Sequence, residues 1–165
     1  MKLVAFKYNK DSKVSCGFIK EGNIIIDIGN HSNPINIDIE SGKLIDIENI
    51  EFKKIAFNEV SLLSPILNPK SLRDAYAFKQ HVEAGRKSRG LEMIPEYDQF
   101  PVFYYGNHNA IAGPGEVQIQ KDQSIKLDYE LEIAAIIGER GKNISVNNAD
   151  DYIMGYTIMN DLSAR

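Results

Sequence analysis

With 165 residues, 43% of them hydrophobic and 25% charged, the chain can form one domain, or a small domain plus part of a second, around a real apolar core. Its net charge is −4, from 19 basic and 23 acidic side chains, and no Lys/Arg run exceeds two residues. That leaves no phosphate-neutralising surface and argues against nucleic-acid binding. Cys16 is the only cysteine, which excludes an internal disulfide and a cysteine-rich zinc site.

The apolar run that begins at Leu3 breaks at Lys7, too early for a signal-peptide core, and no stretch is apolar enough to span a membrane. A soluble cytoplasmic protein is expected. Lys13–Lys20 and Asn23–Ile28 flank Glu21-Gly22 as a hairpin, with β-branched residues on both sides. Cys16 falls on the first of these strands as a small core residue. Asn30–Pro34 reads as a turn. Apolar alternation continues through Ile35–Ile39, Leu44–Ile47, Lys54–Phe57 and Val60–Pro65. Residues 1–66 therefore read as a small β-rich N-terminal domain, and residues 67–165 as a second domain that begins after a link at Ile66–Lys70.

Ser71 to about Gly90 reads as a helix, with Asp74 at capping-box spacing from Ser71 and Gly90 as the stop. Leu91–Phe100 is irregular, Pro101–Tyr105 is strand-like, and Gly106–Gly115 is a loop without the spacing or lysine of a phosphate-binding loop. Lys126–Gly138 is a long strand. Ser145–Ile153 holds one or two helical turns, and Gly155–Asn160 is a strand aimed at Asp161.

The strongest local feature is Asp128-Tyr129-Glu130-Leu131-Glu132-Ile133. Alternate residues of a strand share a face, so the three acids point one way, roughly 7 Å apart along the strand. An acidic strand face is ordinarily just solvated. Here the strand runs on through Ala134–Ile137, apolar on both faces, and acids leading into an interior must be paired, protonated or metal-bound. Asp161 taken alone fits an Asn-Asp turn. On the expected helix, Asp74 and His81 would share a face about 10.5 Å apart, too far for shared chelation but suited to one metal ligand and one acid–base group. His31 and His108 lie in polar turn-like stretches and read as surface residues.

Together these residues resemble the fumarylacetoacetate hydrolase family. The resemblance runs through Arg73–His81, Phe100–Tyr104, Leu127–Ala134 and Gly155–Arg165, which ends in the pattern G-Y-x-x-x-N-D-x-S-A-R. It implies an α+β, β-rich fold, a mixed β-sandwich or roll, here incomplete at its C-terminus because the family's catalytic domain continues past S-A-R. It also implies a Mg²⁺ site, or one for Ca²⁺ or Mn²⁺, with ligands Asp74, Glu130, Glu132 and Asp161. His81 would activate water or move protons, Tyr104 would hold the substrate, and Arg89, in competition with Arg86, would meet a substrate carboxylate. The implied partner is a small dicarbonyl or 2-oxo acid whose C–C bond is hydrolysed, with homodimerisation of the full-length form. Relatives also decarboxylate, isomerise or dehydrate 2-oxo acids, and a non-catalytic fragment is the rival reading. Some relatives carry a catalytic Glu three residues after the histidine; Glu83 comes two after His81, about 200° round a helix.

Overall fold

The computed structural model describes residues 2–20, 23–29, 53–119 and 126–164. The chain divides into two compact units: Met1–Leu67 with Ala112–Arg165, and the intervening Asn68–Ile111.

The N-terminal sheet of the first unit is built from residues whose alternation matches the pleat. Its strands are β1 (Lys2–Tyr8), β2 (Val14–Lys20), β3 (Ile24–Gly29), β4 (Lys53–Ala56) and β5 (Val60–Leu62). They pair antiparallel in the order β4-β3-β2-β1-β5. The expected strands on both sides of Glu21-Gly22 are present and paired, while the two turn residues lie outside the described residues. So do Asn30–Pro34, His31, Ile35–Ile39 and Leu44–Ile47.

Phe6, Ile25, Ile55 and Val60 form the buried core, flanked by Val4, Tyr8, Ile19, Phe57 and Leu62. Cys16 is fully buried on β2 opposite Ala5, as its strand position implied. The β2–β3 ladder slips by one residue between Cys16 and Gly17. A Cβ at Gly17 would collide with the Ile26 carbonyl oxygen, so the bulge needs a glycine there.

One carboxylate sits among these apolar strands. Asp27 of β3 accepts hydrogen bonds from the hydroxyls of Ser15 and Tyr8, and from the Gly29 backbone N–H at 2.9 Å. The Lys53 ammonium lies 4.5 Å from the centre of the Tyr8 ring. Burial alone would raise the Asp27 carboxyl, but the donated hydrogen bonds and the Lys53 charge outweigh it and hold its pKa below the ordinary value. Burial, and then the bond to Asp27, push the Tyr8 phenol well above its usual range.

Unit 1 also contains β8 (Leu127–Ile137) and β9 (Ile153–Ala164), a long antiparallel ribbon closed by Gly138 N–H to the Tyr152 carbonyl at 2.9 Å. The expected helical turns before β9 are a 3₁₀ stretch, Val146–Tyr152. In unit 2, β6 (Leu72–Ala75) pairs with β7 (Phe103–Gly106), and the helix α1 spans Lys79–Ser88. Among the described residues no helix is long and apolar enough to cross a membrane.

The expected helix from Ser71 is thus corrected. Its first turn is strand β6, because Leu72–Ala75 finds ladder partners some thirty residues downstream; α1 starts at Lys79 without a side-chain cap. The stop holds. Gly90, at φ +69, donates to the Lys87 carbonyl while Leu91 N–H reaches Arg86 O, each at 3.0 Å, a Schellman ending.

Replacing Asp27 by Ala leaves the buried Ser15 hydroxyl without its acceptor and is expected to cost about 1–3 kcal/mol, read by denaturant unfolding. Because the Asp27 pKa is depressed in the fold, its stabilisation is complete above the unfolded-chain value of about 4 and is lost as pH falls through the lower folded value. The Asp27→Asn protein should therefore show a flatter loss of thermal midpoint between about pH 5 and pH 2 than the parent. Parallel curves would remove this assignment.

Candidate metal-binding and catalytic residues

The β8–β9 register places the acids. Glu130 is directly opposite Asp161, Glu132 is opposite Met159, and Asp128 is opposite Ser163. Residues directly opposed across a ladder share a face, as do alternate residues along a strand. Asp128, Glu130, Glu132 and Asp161 therefore lie on one side of the ribbon. Asp161 is not in a turn: the ladder carries β9 through to Ala164, overriding the local Asn-Asp signal.

The burial along this ribbon is inverted relative to an ordinary amphipathic strand. Glu130, Glu132 and Asp161 are half-buried, whereas Tyr129, Leu131 and Ile133 between them are exposed. Asp128 is exposed, and its carboxylate accepts a hydrogen bond from Tyr129 N–H at 2.8 Å. Past Glu132 the acidic side gives way to uncharged residues, Ala134, Thr157 and Ile136. Carboxylate oxygens in this number and density are hard donors of the type that suits Mg²⁺, Ca²⁺ or Mn²⁺ and not a thiophilic metal.

In unit 2, Asp74 is half-buried on β6 directly opposite the exposed Tyr104 of β7. This replaces the expectation that Asp74 and His81 share a helix face: Asp74 is on a strand, and only His81 is on α1, in its first turn. Arg73, one residue along, faces the other way. Its guanidinium carbon stands 5.6 Å from the Phe103 ring centre and 5.2 Å from that of Tyr105. Alternation thus gives β6 an acid side and a basic, aromatic side.

The helix bearing His81 is anchored at both ends. Lys79 pairs with Asp98 at 2.6 Å, and Tyr97 donates to the Tyr76 carbonyl, also at 2.6 Å. Arg86 Nε is held by the Glu92 carbonyl and Arg89 Nε by the Gly85 carbonyl. Both arginines therefore sit at the C-terminal end of α1, with Arg89 roughly 12 Å along the axis from His81. Val82 is the helix's buried residue. His108 begins a short 3₁₀ turn and is half-buried, beside the Asn107 side chain that accepts from Asn109 N–H. The ladder also brings Met159 and Ser163 to the acidic side, two residues with no assigned role in the sequence; counting in twos from Asp161 finds both.

Comparison with known proteins identifies the family. The family described as fumarylacetoacetate (FAA) hydrolase C-terminal matches residues 70–165, more than half of the chain. The chain belongs to this family. It is 32% identical over 119 residues to the fumarylacetoacetate hydrolase domain-containing protein 2 homolog of Dictyostelium discoideum, covering 72% of this chain and 36% of that protein. It is also 32% identical over 109 residues to a mitochondrial oxaloacetate tautomerase of Xenopus laevis, covering 66% and 32%. Among solved structures, the fumarylacetoacetate hydrolase of Exiguobacterium antarcticum superposes with a TM-score of 0.71 at 22% identity, over 99% of this chain and 57% of its own. A 5-carboxymethyl-2-hydroxymuconate delta-isomerase of Mycobacterium smegmatis gives 0.65 at 24%, over 100% and 56%. These superpositions establish a strand-rich fold of the fumarylacetoacetate hydrolase type. The chain spans about a third of the length of these two sequence relatives.

Val82→Ala opens a cavity under the helix that carries His81 and is expected to lower stability by about 1–3 kcal/mol. Amide exchange should quicken along Lys79–Ser88 before it does in β1–β3; uniform quickening would show that the helix is not separately anchored.

Proposed function

We propose that this chain supplies the metal-ligand and proton-transfer residues of a divalent-cation-dependent enzyme acting on a small 2-oxo or 1,3-dicarbonyl acid. The reaction we assign is hydrolysis of a C–C bond in an acylpyruvate-type substrate. The observation that carries this reading is the half-buried row Glu130, Glu132 and Asp161 on one side of the β8–β9 ribbon, within a family-matched segment. Oxygen donors held in partly desolvated positions favour a hard cation as the compensating charge. We assign Asp74 as the fourth ligand from the family pattern.

A divalent cation bound there would stabilise the negative charge that develops on a substrate enolate. The protein's own part is orientation and proton movement. His81 takes a proton from water at an imidazole nitrogen as the water adds to the ketone carbon, and returns it to the carbon released as the bond breaks. The Tyr104 hydroxyl donates a hydrogen bond to a substrate oxygen, and the Arg89 guanidinium faces the substrate carboxylate as a fork of donors.

A second reading, keto–enol tautomerisation of a 2-oxo acid, is favoured by two observations. One relative of 32% identity is an oxaloacetate tautomerase. In addition, Glu83 follows His81 by two residues on α1 and so lies about 200° around it, turned away from the histidine. Moving one proton between carbon and oxygen requires less acid–base assistance than adding water and breaking a C–C bond.

Glu132→Ala and Asp161→Ala should each abolish the rise in thermal midpoint that Mg²⁺ or Mn²⁺ gives the parent chain. His81→Ala should keep that rise while lowering turnover on an acylpyruvate or on enol-oxaloacetate by about 10²–10⁴-fold. Product analysis by NMR separates the readings, since hydrolysis releases two acids and tautomerisation one. A cation response untouched by either carboxylate change would exclude the ligand assignment.

A further inference from the structure

The helix α1 is held along one stripe by the chain that follows it. At about 100° per residue, Lys79, Glu83 and Arg86 fall within about 60° of one another on its circumference. Both ends of that stripe are tied to one segment. Arg86 Nε donates to the Glu92 carbonyl, and Leu91 N–H returns to the Arg86 carbonyl at 3.0 Å. About 10 Å back along the axis, Lys79 pairs with Asp98 at 2.6 Å. The same ammonium stands 5.9 Å from the centre of the Tyr97 ring. The Tyr97 hydroxyl in turn donates to the Tyr76 carbonyl at 2.6 Å, just ahead of the helix. Leu91–Asp98 therefore runs back alongside α1 and grips it at each end.

The segment is stiff where it grips. Pro95 opens a 3₁₀ turn, Pro95–Asp98, closed by Tyr97 N–H to the Ile94 carbonyl at 3.2 Å and by Gln99 N–H to Glu96 O at 3.0 Å. An exposed ion pair such as Lys79–Asp98 adds little to stability by itself. Two grips on one stripe do something else. They oppose rotation of the helix about its axis, since any turn must break contacts at both ends. His81 is exposed, about 200° around from Lys79 and about 140° from Arg86, on the side away from these contacts.

We propose that Leu91–Asp98 is a strap that fixes the rotation of α1 and so aims the His81 imidazole, with Tyr97 and Asp98 as positioning residues. This rests on the acid–base role given to His81. The strap accounts for Glu83, which belongs to the gripped stripe and not to the histidine's side. It also separates the two arginines: Arg86 is a fastening of the strap, while Arg89 bonds back to Gly85 within its own helix. Aim matters because a misplacement of about 1 Å in a reacting group can cost roughly 100-fold in rate.

NMR of the ligand-free chain with isotope-labelled histidine tests the strap, His81 being assigned through His81→Gln and His108 serving as a control outside the strap. Tyr97→Phe combined with Asp98→Ala should shift the His81 ring signals and average its side-chain couplings. His108 and the far-UV circular dichroism should stay as in the parent. Asp98→Glu, which keeps the charge, should leave His81 near its parent position. On an acylpyruvate, the double variant should lose about 10- to 100-fold in kcat with KM held within about twofold. If the double variant fails to fold, Tyr97→Phe alone removes a single oxygen and should move His81 the same way by less. Unchanged His81 signals overturn the proposal. So do His81 and His108 signals that move together, which report loosening of the whole unit and not lost aim. A His81→Ala chain that keeps its turnover removes the catalytic role of the histidine instead, and the spectra still decide the strap.

Discussion

The row of carboxylates on the β8–β9 ribbon depends on one alignment: Glu130 opposite Asp161 in the ladder. The side-chain period of a strand is two, so a slip of one residue would send the carboxylates of one strand to the other face. What resists that slip is the length of the ladder and the unlike character of its two sides. One side collects acids, small residues, Met159 and Ser163, and the other collects Tyr129, Leu131, Ile133 and Ile158. The acids can be close only because the apolar residues are where they are.

The same logic explains why three carboxylates are half-buried while large aliphatic side chains beside them are exposed. A strand that served only folding would do the reverse. A β6 strand with Asp74 and Tyr104 on one side, and Arg73 against Phe103 and Tyr105 on the other, repeats the arrangement on a smaller scale. In both ribbons alternation keeps groups of opposite character apart on a backbone only two strands wide.

Much of this was legible in the sequence, and what was missed has physical causes. β8 and the hairpin strands β2 and β3 announce themselves by period-two patterns with β-branched residues, so their positions agree with expectation to within a residue or two. The Gly90 stop was legible because a positive φ at a helix end strongly favours glycine. The start of α1 was not, since Ser71 and Asp74 imitate a capping box while the real determinant is a pairing with Phe103–Gly106, invisible to any local window. Asp161 taken alone fits a turn for the same reason: an Asn-Asp pair is a local signal, and the ladder with β8 is not. The family resemblance assigns a role to Asp74 and Asp161 regardless, because a motif records positions without needing to know the local backbone. The Asp27 network had no such signal, as an acid between isoleucines reads only as a break in pattern.

The N-terminal sheet has a consequence for how the chain comes into being. All of its ladders, from β1–β2 to the closing β1–β5 contact, lie within the first 62 residues, and its core residues do as well. That sheet can therefore assemble while the ribosome is still translating the segment that follows, since domains formed early in synthesis need not await later ones. The rest of unit 1, including the whole acid-bearing ribbon, is made only after the intervening unit has emerged. A nascent chain that has emerged only to β5 thus carries every strand of this sheet and none of the β8–β9 carboxylates.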